Sequence, residues 1–498
     1  MPNFKHFSND QMEFMVVNFK EQLAVGTFEY AVNDIIENHI DLSILDDKYN
    51  NNNAGAKAYP PAVLLKIILY AYSLGIIHSR KIEYSCKNNI IFMSLSGGAK
   101  PDHSTIANFI TSLEDEIIII FSNILFLCAQ LDLIGGETFA LDGCKLSSNA
   151  SKESSGTLKE LQNKKDKLEK SVKILIKKHK DSDLNDKENL DKRIDKYQSK
   201  IERIKKFIES NEEKKGKRYR LKKSNITDNE SAKMISSHGF IQGYNGLSLV
   251  DSKHQVVVYP EAYGTGQEGE IMKDVLESAK KLAKQSGISE DLLKGKKVIC
   301  DTNYFSEDNC AYLSENGIDG YIPDQYYRRR DPRFPEKNER RKRKNLYTQD
   351  DFIYNEQKGY YVCPQGKLLK CRNRNLKYHG YRGTRFCAKK DDCQRCMDRY
   401  KCLKKNAKSR TLFVIKEYPD KTYSAKMMEK IDSEDGRDIY SKRMGIVEPV
   451  FANVTYHKGM NYFTMRGKKK VNIQWVMFMM IHNMEKIRNY GVKYKKST

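Results

Sequence analysis

The sequence predicts a mixed α/β protein with a helical N-terminal region, on three observations. Strand-like and helix-like runs alternate between residues 246 and 323, with one hairpin among them. The first 135 or so residues carry helix signals throughout. Between these regions, apolar residues spaced three and four apart mark a long helical insert.

In the N-terminal region, Pro60-Pro61 opens a run from Ala62 to Gly75. Proline in the first turn and glycine after the last follow the asymmetry of helix ends. Ser79 is expected to cap a helix from Arg80 to Lys87. Pro101 to Thr105 reads as a loop rich in cap donors, followed by one long helix from Ile106 to Leu131. Short helices joined by tight polar turns fit a helix-turn-helix-like DNA-binding module, and they fit a plain helical bundle as well.

The insert covers residues 152–223. Its seams are Leu158, Leu161, Lys165, Leu168, Val172 and Leu175, then Leu190, Ile194, Tyr197, Ile201, Ile204 and Ile208. The polar segment from His179 to Asp186 turns the chain, so an antiparallel coiled-coil hairpin is expected. It serves either as a solvated spacer or as a contact for a second copy or for DNA.

Gly246–Asp251 and His254–Tyr259 flank a turn at Ser252-Lys253 and read as a hairpin. A helix follows over 268–285, a strand over 296–301, a helix over 308–316 and a strand over 319–323. A basic, cysteine-rich insert occupies 325–410. Beyond it come a strand around Thr411–Ile415, a segment carrying Glu448, and an apolar helix over 472–487. The expected organisation is a helical domain over 1–135 and a core built from 136–151, 224–324 and 411–490. The two inserts, 152–223 and 325–410, interrupt that core.

The 498 residues hold 88 Lys+Arg against 65 Asp+Glu, a formal charge of +23, which points to a polyanionic partner. The most apolar stretch, Ile117 to Cys128, is too short for a membrane span, and the first residues show no apolar leader. A soluble, intracellular protein with reduced cysteines is the expectation, so a cluster among its 11 cysteines suggests metal before disulfide.

Three carboxylates carry the chemistry. Asp142 ends the apolar run Thr138-Phe-Ala-Leu, Asp301 ends Lys296-Lys-Val-Ile-Cys, and Glu448 closes Tyr440-Ser-Lys-Arg-Met-Gly-Ile-Val. Carboxylates on strand ends and on a helix suit a pair of divalent metals about 4 Å apart, poised for in-line phosphoryl displacement. Asp251 is the rival third acid and is assigned to the hairpin turn. Pro449 disfavours helix at the residue before it, so Glu448 is expected to cap a helix that starts at Pro449.

Cys393-Gln-Arg-Cys396 has the spacing of a zinc knuckle, and Cys402 and Cys363 lie near it in sequence. Four thiolates make a closed structural Zn²⁺ site. Cys387 and Cys371 are the spare candidates, while Cys86, Cys128, Cys144, Cys300 and Cys310 read as core residues. Arg328, Arg329 and Arg330 beside Tyr326 and Tyr327, and Arg340 to Lys344, mix cations with aromatics as DNA-contacting surfaces do. Arg466, Lys468 and their neighbours form a shorter patch fit for a DNA-end phosphate.

Asp142-Gly-Cys-Lys-Leu-Ser-Ser-Asn-Ala-Ser-Lys resembles the first-aspartate motif of insertion-sequence DDE transposases. Gln242-Gly-Tyr-Asn-Gly-Leu-Ser-Leu-Val-Asp resembles their next block, and Cys300-Asp-Thr-Asn-Tyr-Phe-Ser their second-aspartate motif. Tyr440-Ser-Lys-Arg443 with Glu448 resembles their tyrosine-arginine-glutamate signature, and Pro60 to Phe109 looks like the helical domain preceding their core. The resemblance implies an RNase H-like core. It also implies Mg²⁺ or Mn²⁺ held by Asp142, Asp301 and Glu448, and DNA contact by Tyr440 and Arg443. The similar cysteines of the family add weight to Cys363, Cys393, Cys396 and Cys402 as Zn²⁺ ligands. The activity implied is cutting of transposon ends and their joining to target DNA. The partners would be double-stranded DNA, as terminal inverted repeats and target, and a second subunit in a homodimer, in the cytoplasm with the nucleoid.

The sequence departs from that signature in one place. Four residues, Met444 to Val447, separate Arg443 from Glu448 where the pattern has three, and Thr455 stands where a lysine is expected. A transposase-derived DNA-binding protein without cleavage and a stand-alone nuclease therefore stay open. No Walker loop, dinucleotide glycine motif or esterase elbow is present. The nucleophiles of serine and tyrosine recombinases remain possible, though less well framed than the acidic triad.

Overall fold

The computed structural model describes residues 17–49, 57–180, 184–216, 221–236, 239–334, 347–378, 381–403, 406–417 and 422–494. The basic run Arg340–Lys344, the first residues and the end of the C-terminal tail lie outside the described residues. The chain divides into two compact units. One combines 1–296 with 444–498, and the other is 297–443.

The first unit begins with helices α1 (Phe28–Asn38), α2 (Pro61–Ser73), α3 (Ser79–Asn88), α4 (Ile90–Ser96), α5 (His103–Ser112) and α6 (Ile117–Gln130). Pro61 takes the first position of α2, and Gly75 follows it at φ +74°, as the sequence pattern requires. Nearly every residue of α2 from Leu64 to Tyr72 is buried, so it is a central helix of this region. Its Lys66 ammonium stays paired, with Glu37 at 2.6 Å and Asn33 at 3.0 Å.

Two helix-boundary expectations change. Ser79 is the first residue of α3 and not its cap; His78 takes the cap position without a side-chain bond. The single helix expected from Ile106 to Leu131 is α5 and α6, broken at Leu113–Glu116. The Thr111 and Ser112 hydroxyls bond back to the Ala107 and Phe109 carbonyls, at 3.1 and 2.8 Å. Glu114-Asp-Glu116 then disfavours the C-terminal end of one helix and favours the N-terminal start of the next.

The sheet of this unit contains β1 (Thr138–Ser147), β4 (Ala232–Ser236), β5 (Gly239–Asp251) and β6 (Val257–Tyr263), with α9 (Met272–Gln285) after it. The insert between β1 and β4 starts with β2 (Ser155–Gly156), runs out and back through α7 (Leu158–Lys180) and α8 (Leu184–Ser210), and returns at β3 (Ser224–Asn225). Strand β5 pairs antiparallel with β1 on one edge, Asp142 opposite Ser248. On the other edge its first half meets β4 and its second half β6. The expected hairpin is present, although its second strand starts at Val257 and not at His254. The Asp251 carboxylate accepts from the amides of Gly135, Gly136 and Lys253 at 2.8–3.0 Å, which makes it a turn residue.

The insert is the antiparallel hairpin expected. Leu161 near the start of α7 packs with Ile204 and Phe207 near the end of α8. His179 and Asp191 pair at the far end, at 3.1 Å. Its base is tied by buried Asn225, which bonds the Ser151 carbonyl and the Ser155 hydroxyl at 2.8 Å each.

The C-terminal helix, Lys468–Tyr490, packs on α1, α2, α6 and β6. The chain's one tryptophan, Trp475, is fully buried and donates to the Leu247 carbonyl at 2.9 Å. Gly246 provides the space: a Cβ there would stand 2.6 Å from the indole ring. Asn483 bonds both the amide and the carbonyl of Val257 at 2.8 Å, so a side chain supplies ladder bonds to β6.

The second unit opens with β7 (Lys297–Cys300), α10 (Glu307–Glu315) and β8 (Asp319–Tyr321); β7 and β8 are parallel with the helix between them. Ser306 caps α10, accepting from Asn309 N at 3.2 Å. A five-stranded antiparallel sheet follows: β9 (Ile353–Asn355), β10 (Tyr360–Val362), β11 (Leu368–Tyr378), β12 (Tyr381–Ala388) and β13 (Thr411–Glu417). Phe352, Leu369, Phe386 and Leu412 form its core. The strand at Thr411, expected to rejoin the main core, pairs instead with β12 and so belongs to the cysteine-rich sheet. The helices Tyr423–Asp432 and Glu434–Ser441 close the unit.

Candidate active site

Asp142 lies in the middle of β1 and not at its end, because β1 continues to Ser147. Its Oδ1 accepts from Gly143 N at 2.8 Å. Cys144, two residues on, shares the Asp142 face of the strand. Burial pushes the Cys144 thiol up to about 12, and the negative charges of Asp142 and then Glu448 push it the same way. Both carboxylates therefore act on one thiol from two elements far apart in sequence.

Glu448 is inside the helix Arg443–Ala452, not at the cap of one starting at Pro449. A proline in a helix cannot donate to the carbonyl four residues back. Here that carbonyl is Gly445's, and Gln255 Nε2 donates to it at 3.2 Å. The substitute donor satisfies the carbonyl that the proline leaves without its amide. Gln255 sits at φ +59°, a left-handed conformation rare for a side chain of its size. Its carbonyl accepts from His482 Nε2 at 2.8 Å and its Oε1 from Lys486 Nζ at 2.9 Å.

The helix passes directly into a π-turn, Asn453–His457. Lys458 closes that turn. It is buried, and its ammonium donates to Asn453 at 3.0 Å and Glu485 at 2.7 Å. Asn453 also donates to Glu485 at 2.7 Å and contacts His482 Nδ1 at 3.0 Å. Thus Lys458, one of two cations near the departed lysine position, faces the interior. Thr455, at that position, bonds back to the Phe451 carbonyl at 2.8 Å. Sequence reasoning missed this network, although its signal was present: His482, Asn483 and Glu485 interrupt an otherwise apolar helix.

Asp301 belongs to the second unit. It follows β7 directly and caps the short turn Thr302–Tyr304. Its carboxylate accepts from Thr302 Oγ1 and Asn303 Nδ2, each at 3.4 Å. Arg328 donates to the Tyr327 hydroxyl at 3.0 Å; that bond raises its pKa first, and Tyr440 and Asp301 add to the shift. Tyr440 is buried edge-on to Tyr327, ring centres 5.2 Å apart. Burial raises its hydroxyl most, Tyr327 next, and Asp301 also raises it while Arg443 opposes. Asp301, Arg328, Tyr440 and Arg443 are therefore within electrostatic reach of one another.

The other basic residues differ in how far the protein holds them. Arg329 stacks over exposed Tyr326 at 5.0 Å. Arg330 is tied to Asp324 and Asp432, each at 2.5 Å. Arg466 donates to the Asn149 carbonyl at 2.6 Å, and Lys468 pairs with Glu261 at 2.7 Å.

Cys363, Cys393, Cys396 and Cys402 line one cavity of ≈ 30 Å³. Burial raises the Cys402 thiol, Arg410 opposes, and the three other thiols add to the rise. The Lys367 amide donates to Cys363 Sγ at 3.3 Å and the Arg410 amide to Cys393 Sγ at 3.4 Å. The spare Cys387 contacts Thr411 Oγ1 at 3.7 Å, and Cys371 packs on the sheet core. Among the described residues, no group of three or more His, Cys, Asp or Glu side chains is arranged to hold a metal ion. No helix among them is long and apolar enough to cross a membrane.

No curated protein matches the chain, and no solved structure does. Two families match. Residues 17–112 match a transposase domain, DUF772, and residues 362–488 match a transposase DDE domain. The first match spans α1 to α5 and the second includes Tyr440, Arg443 and Glu448. A transposase domain is thus matched towards each end of the chain, and the DDE-domain match takes in Glu448 but neither Asp142 nor Asp301.

Proposed function

We propose that this protein cuts transposon ends and joins them to target DNA, with Asp142, Asp301 and Glu448 as its metal-binding residues on an RNase H-like core. The reading is supported by the transposase matches towards both ends of the chain, together with the charges of Asp142 and Glu448 both reaching Cys144 from separate elements. The donor chemistry fits a hard cation such as Mg²⁺ or Mn²⁺. The carboxylates supply the oxygen ligands that such an ion takes. When bound, such ions supply the Lewis acidity that in-line phosphodiester hydrolysis and strand transfer need.

The protein's own residues would do the rest. Asp142 on a strand and Glu448 on a helix whose proline is compensated hold their carboxylates on rigid elements. Arg328 and Arg329, with Tyr326 and Tyr327, would hold a DNA phosphate, and Arg443 with Tyr440 would line its approach. Arg330, twice ion-paired, would fix the short helix Tyr327–Arg330 that carries them. Arg466 and Lys468 would meet the transposon end. Cys363, Cys393, Cys396 and Cys402 would bind a structural Zn²⁺, a reading supported by their shared cavity and the two N–H···S bonds. Proteins that cut two ends and join them usually act as dimers or larger assemblies, so a homodimer on double-stranded DNA, nucleoid-associated in the cytoplasm, completes the reading.

The test is strand cleavage on DNA carrying the element's terminal inverted repeats, with Mg²⁺. Nicking that disappears in Asp142→Asn, Asp301→Asn and Glu448→Gln supports the triad. Nicking that survives any of them removes that residue. Specific binding without nicking would indicate a non-cleaving derivative, and nicking without joined products a nuclease. Elemental analysis without zinc would remove the cysteine site.

A further inference from the structure

On the first unit, β1, β4 and the segments flanking β3 and β6 enclose a groove of ≈ 660 Å³. Among the described residues, five lysines line it, Lys145, Lys214, Lys222, Lys223 and Lys233, and no acidic side chain does. Carboxylates outside the lining partly offset them: Lys145 pairs with Glu268 at 3.1 Å, Lys222 with Glu270 at 3.7 Å, and Lys223 with Glu160 at 3.0 Å. Lys214, half-buried, donates to the Asn229 carbonyl; burial lowers its pKa, and the charges of Asp228 and Glu230 oppose. That is a dense cationic lining whose counter-charges lie outside the groove.

The floor is the segment Gly264-Thr-Gly-Gln267. At Gly264 a Cβ would stand 1.8 Å from the Glu230 carbonyl oxygen, so no side chain fits between this backbone and the neighbouring turn. The rim carries two apolar side chains in water, Ile235 at 66% and Phe240 at 61% exposure. Lys233 stands over the Phe240 ring at 5.1 Å. An exposed ring flanked by ammonium groups is the composition that binds an unpaired strand, stacking a base on the ring while the cations meet the phosphates. A duplex offers this groove phosphates but no free base face. The volume is that of a pocket enclosing about one or two nucleotides.

Lys145 is an odd number of residues from Asp142 on β1, so it leaves the other face of that strand, whereas the register puts Lys233 and Phe240 on the Asp142 face of the sheet. The groove thus draws on both faces of the sheet, and neither Asp142 nor Glu448 lines it.

We propose that this groove binds a short single strand of DNA, with Phe240 as the stacking platform and Lys222 and Lys233 as phosphate contacts. The proposal rests on the reading that the protein acts on DNA, and it adds a place for a strand unpaired near the cut.

Fluorescence anisotropy on the full chain tests it, with a labelled eight-residue thymidine oligonucleotide and a duplex of equal length as probes. The oligonucleotide should bind with a log–log salt slope of about −0.7 per phosphate contact. Phe240→Ala should weaken it by about 5- to 100-fold while leaving the duplex within twofold. Lys222→Ala with Lys233→Ala should reduce the slope by about 1.4. Phe240, Lys222 and Lys233 are exposed, so thermal melts matching the unaltered protein should confirm that the variants fold. Undetectable oligonucleotide binding, or binding unchanged in all the variants, overturns the groove. The catalytic reading is judged separately, by nicking in Asp142→Asn. Oligonucleotide binding that depends on Phe240 in a protein that never nicks leaves the groove standing and removes the enzyme.

Discussion

Lys458→Met puts the support of the Glu448 helix to a direct test. The Lys458 side chain is 4% exposed and its Glu485 partner 21%. The substitution keeps an unbranched side chain but removes hydrogen bonds of 3.0 and 2.7 Å to Asn453 and Glu485. Breaking a buried ion pair on one side costs about 3–5 kcal/mol, mostly because the remaining charge loses its partner. Glu485 is not fully buried and keeps the Asn453 amide at 2.7 Å, which argues for the lower end, about 3 kcal/mol. Adding Glu485→Gln should recover part of this, since no unpaired charge is then left; a coupling of about 1–2 kcal/mol is expected. The assay is urea unfolding followed by the fluorescence of Trp475, the chain's one tryptophan, which sits in the same helix as Glu485. A loss below about 1 kcal/mol for Lys458→Met, or no coupling with Glu485→Gln, would refute the argument that this pair holds the turn.

Further outcomes follow from other parts of the same unit. His482 is fully buried with its pKa lowered to about 4, chiefly by burial. Its folded pKa lies below the unfolded value of about 6.5, so its contribution is complete above that pH and is lost as pH falls towards 4. Between pH 7.5 and 4.5 the loss should be about 2–3 kcal/mol, and in His482→Gln this part of the pH dependence should vanish from urea midpoints. Gly246→Val should displace the indole and cost about 3 kcal/mol or more, read as a red-shifted Trp475 emission and a lower melting temperature. Pro449→Ala restores the amide that Gln255 replaces. It should raise stability by about 1 kcal/mol or more by urea unfolding and make Gln255→Ala nearly neutral for the helix.

Much of the fold was legible because local rules agreed with tertiary packing. Pro61 and Gly75 bound α2, and the three-and-four spacing produced the α7–α8 hairpin. Boundaries failed where side chains competed with the backbone, as at Thr111 and Ser112. The strand at Thr411 was assigned by position along the chain, and sequence cannot say which neighbour a strand pairs with. At the site, the hydrophobic run before Asp142 looked like a whole strand because the part beyond it alternates polar and apolar residues to Ser147. Glu448 was misplaced because helix before proline is disfavoured but not forbidden, and the bond from Gln255 that satisfies the Gly445 carbonyl comes from a residue distant in sequence. Asp251 was assigned well because a carboxylate at a hairpin turn has a clear local use, here the Lys253 amide; its bonds to Gly135 and Gly136 were not legible.

The helix Lys468–Tyr490 has a consequence for the order in which the protein can be made. It packs on α1 and α2, which are synthesised about 400 residues earlier. While the ribosome translates everything between, those helices must wait with an uncovered apolar face, exposed to chaperones and proteases. A stop codon before residue 468 would therefore remove the centre of the first unit and not a dispensable tail. Truncated copies of this chain should be degraded rather than accumulate as partial DNA-binding fragments.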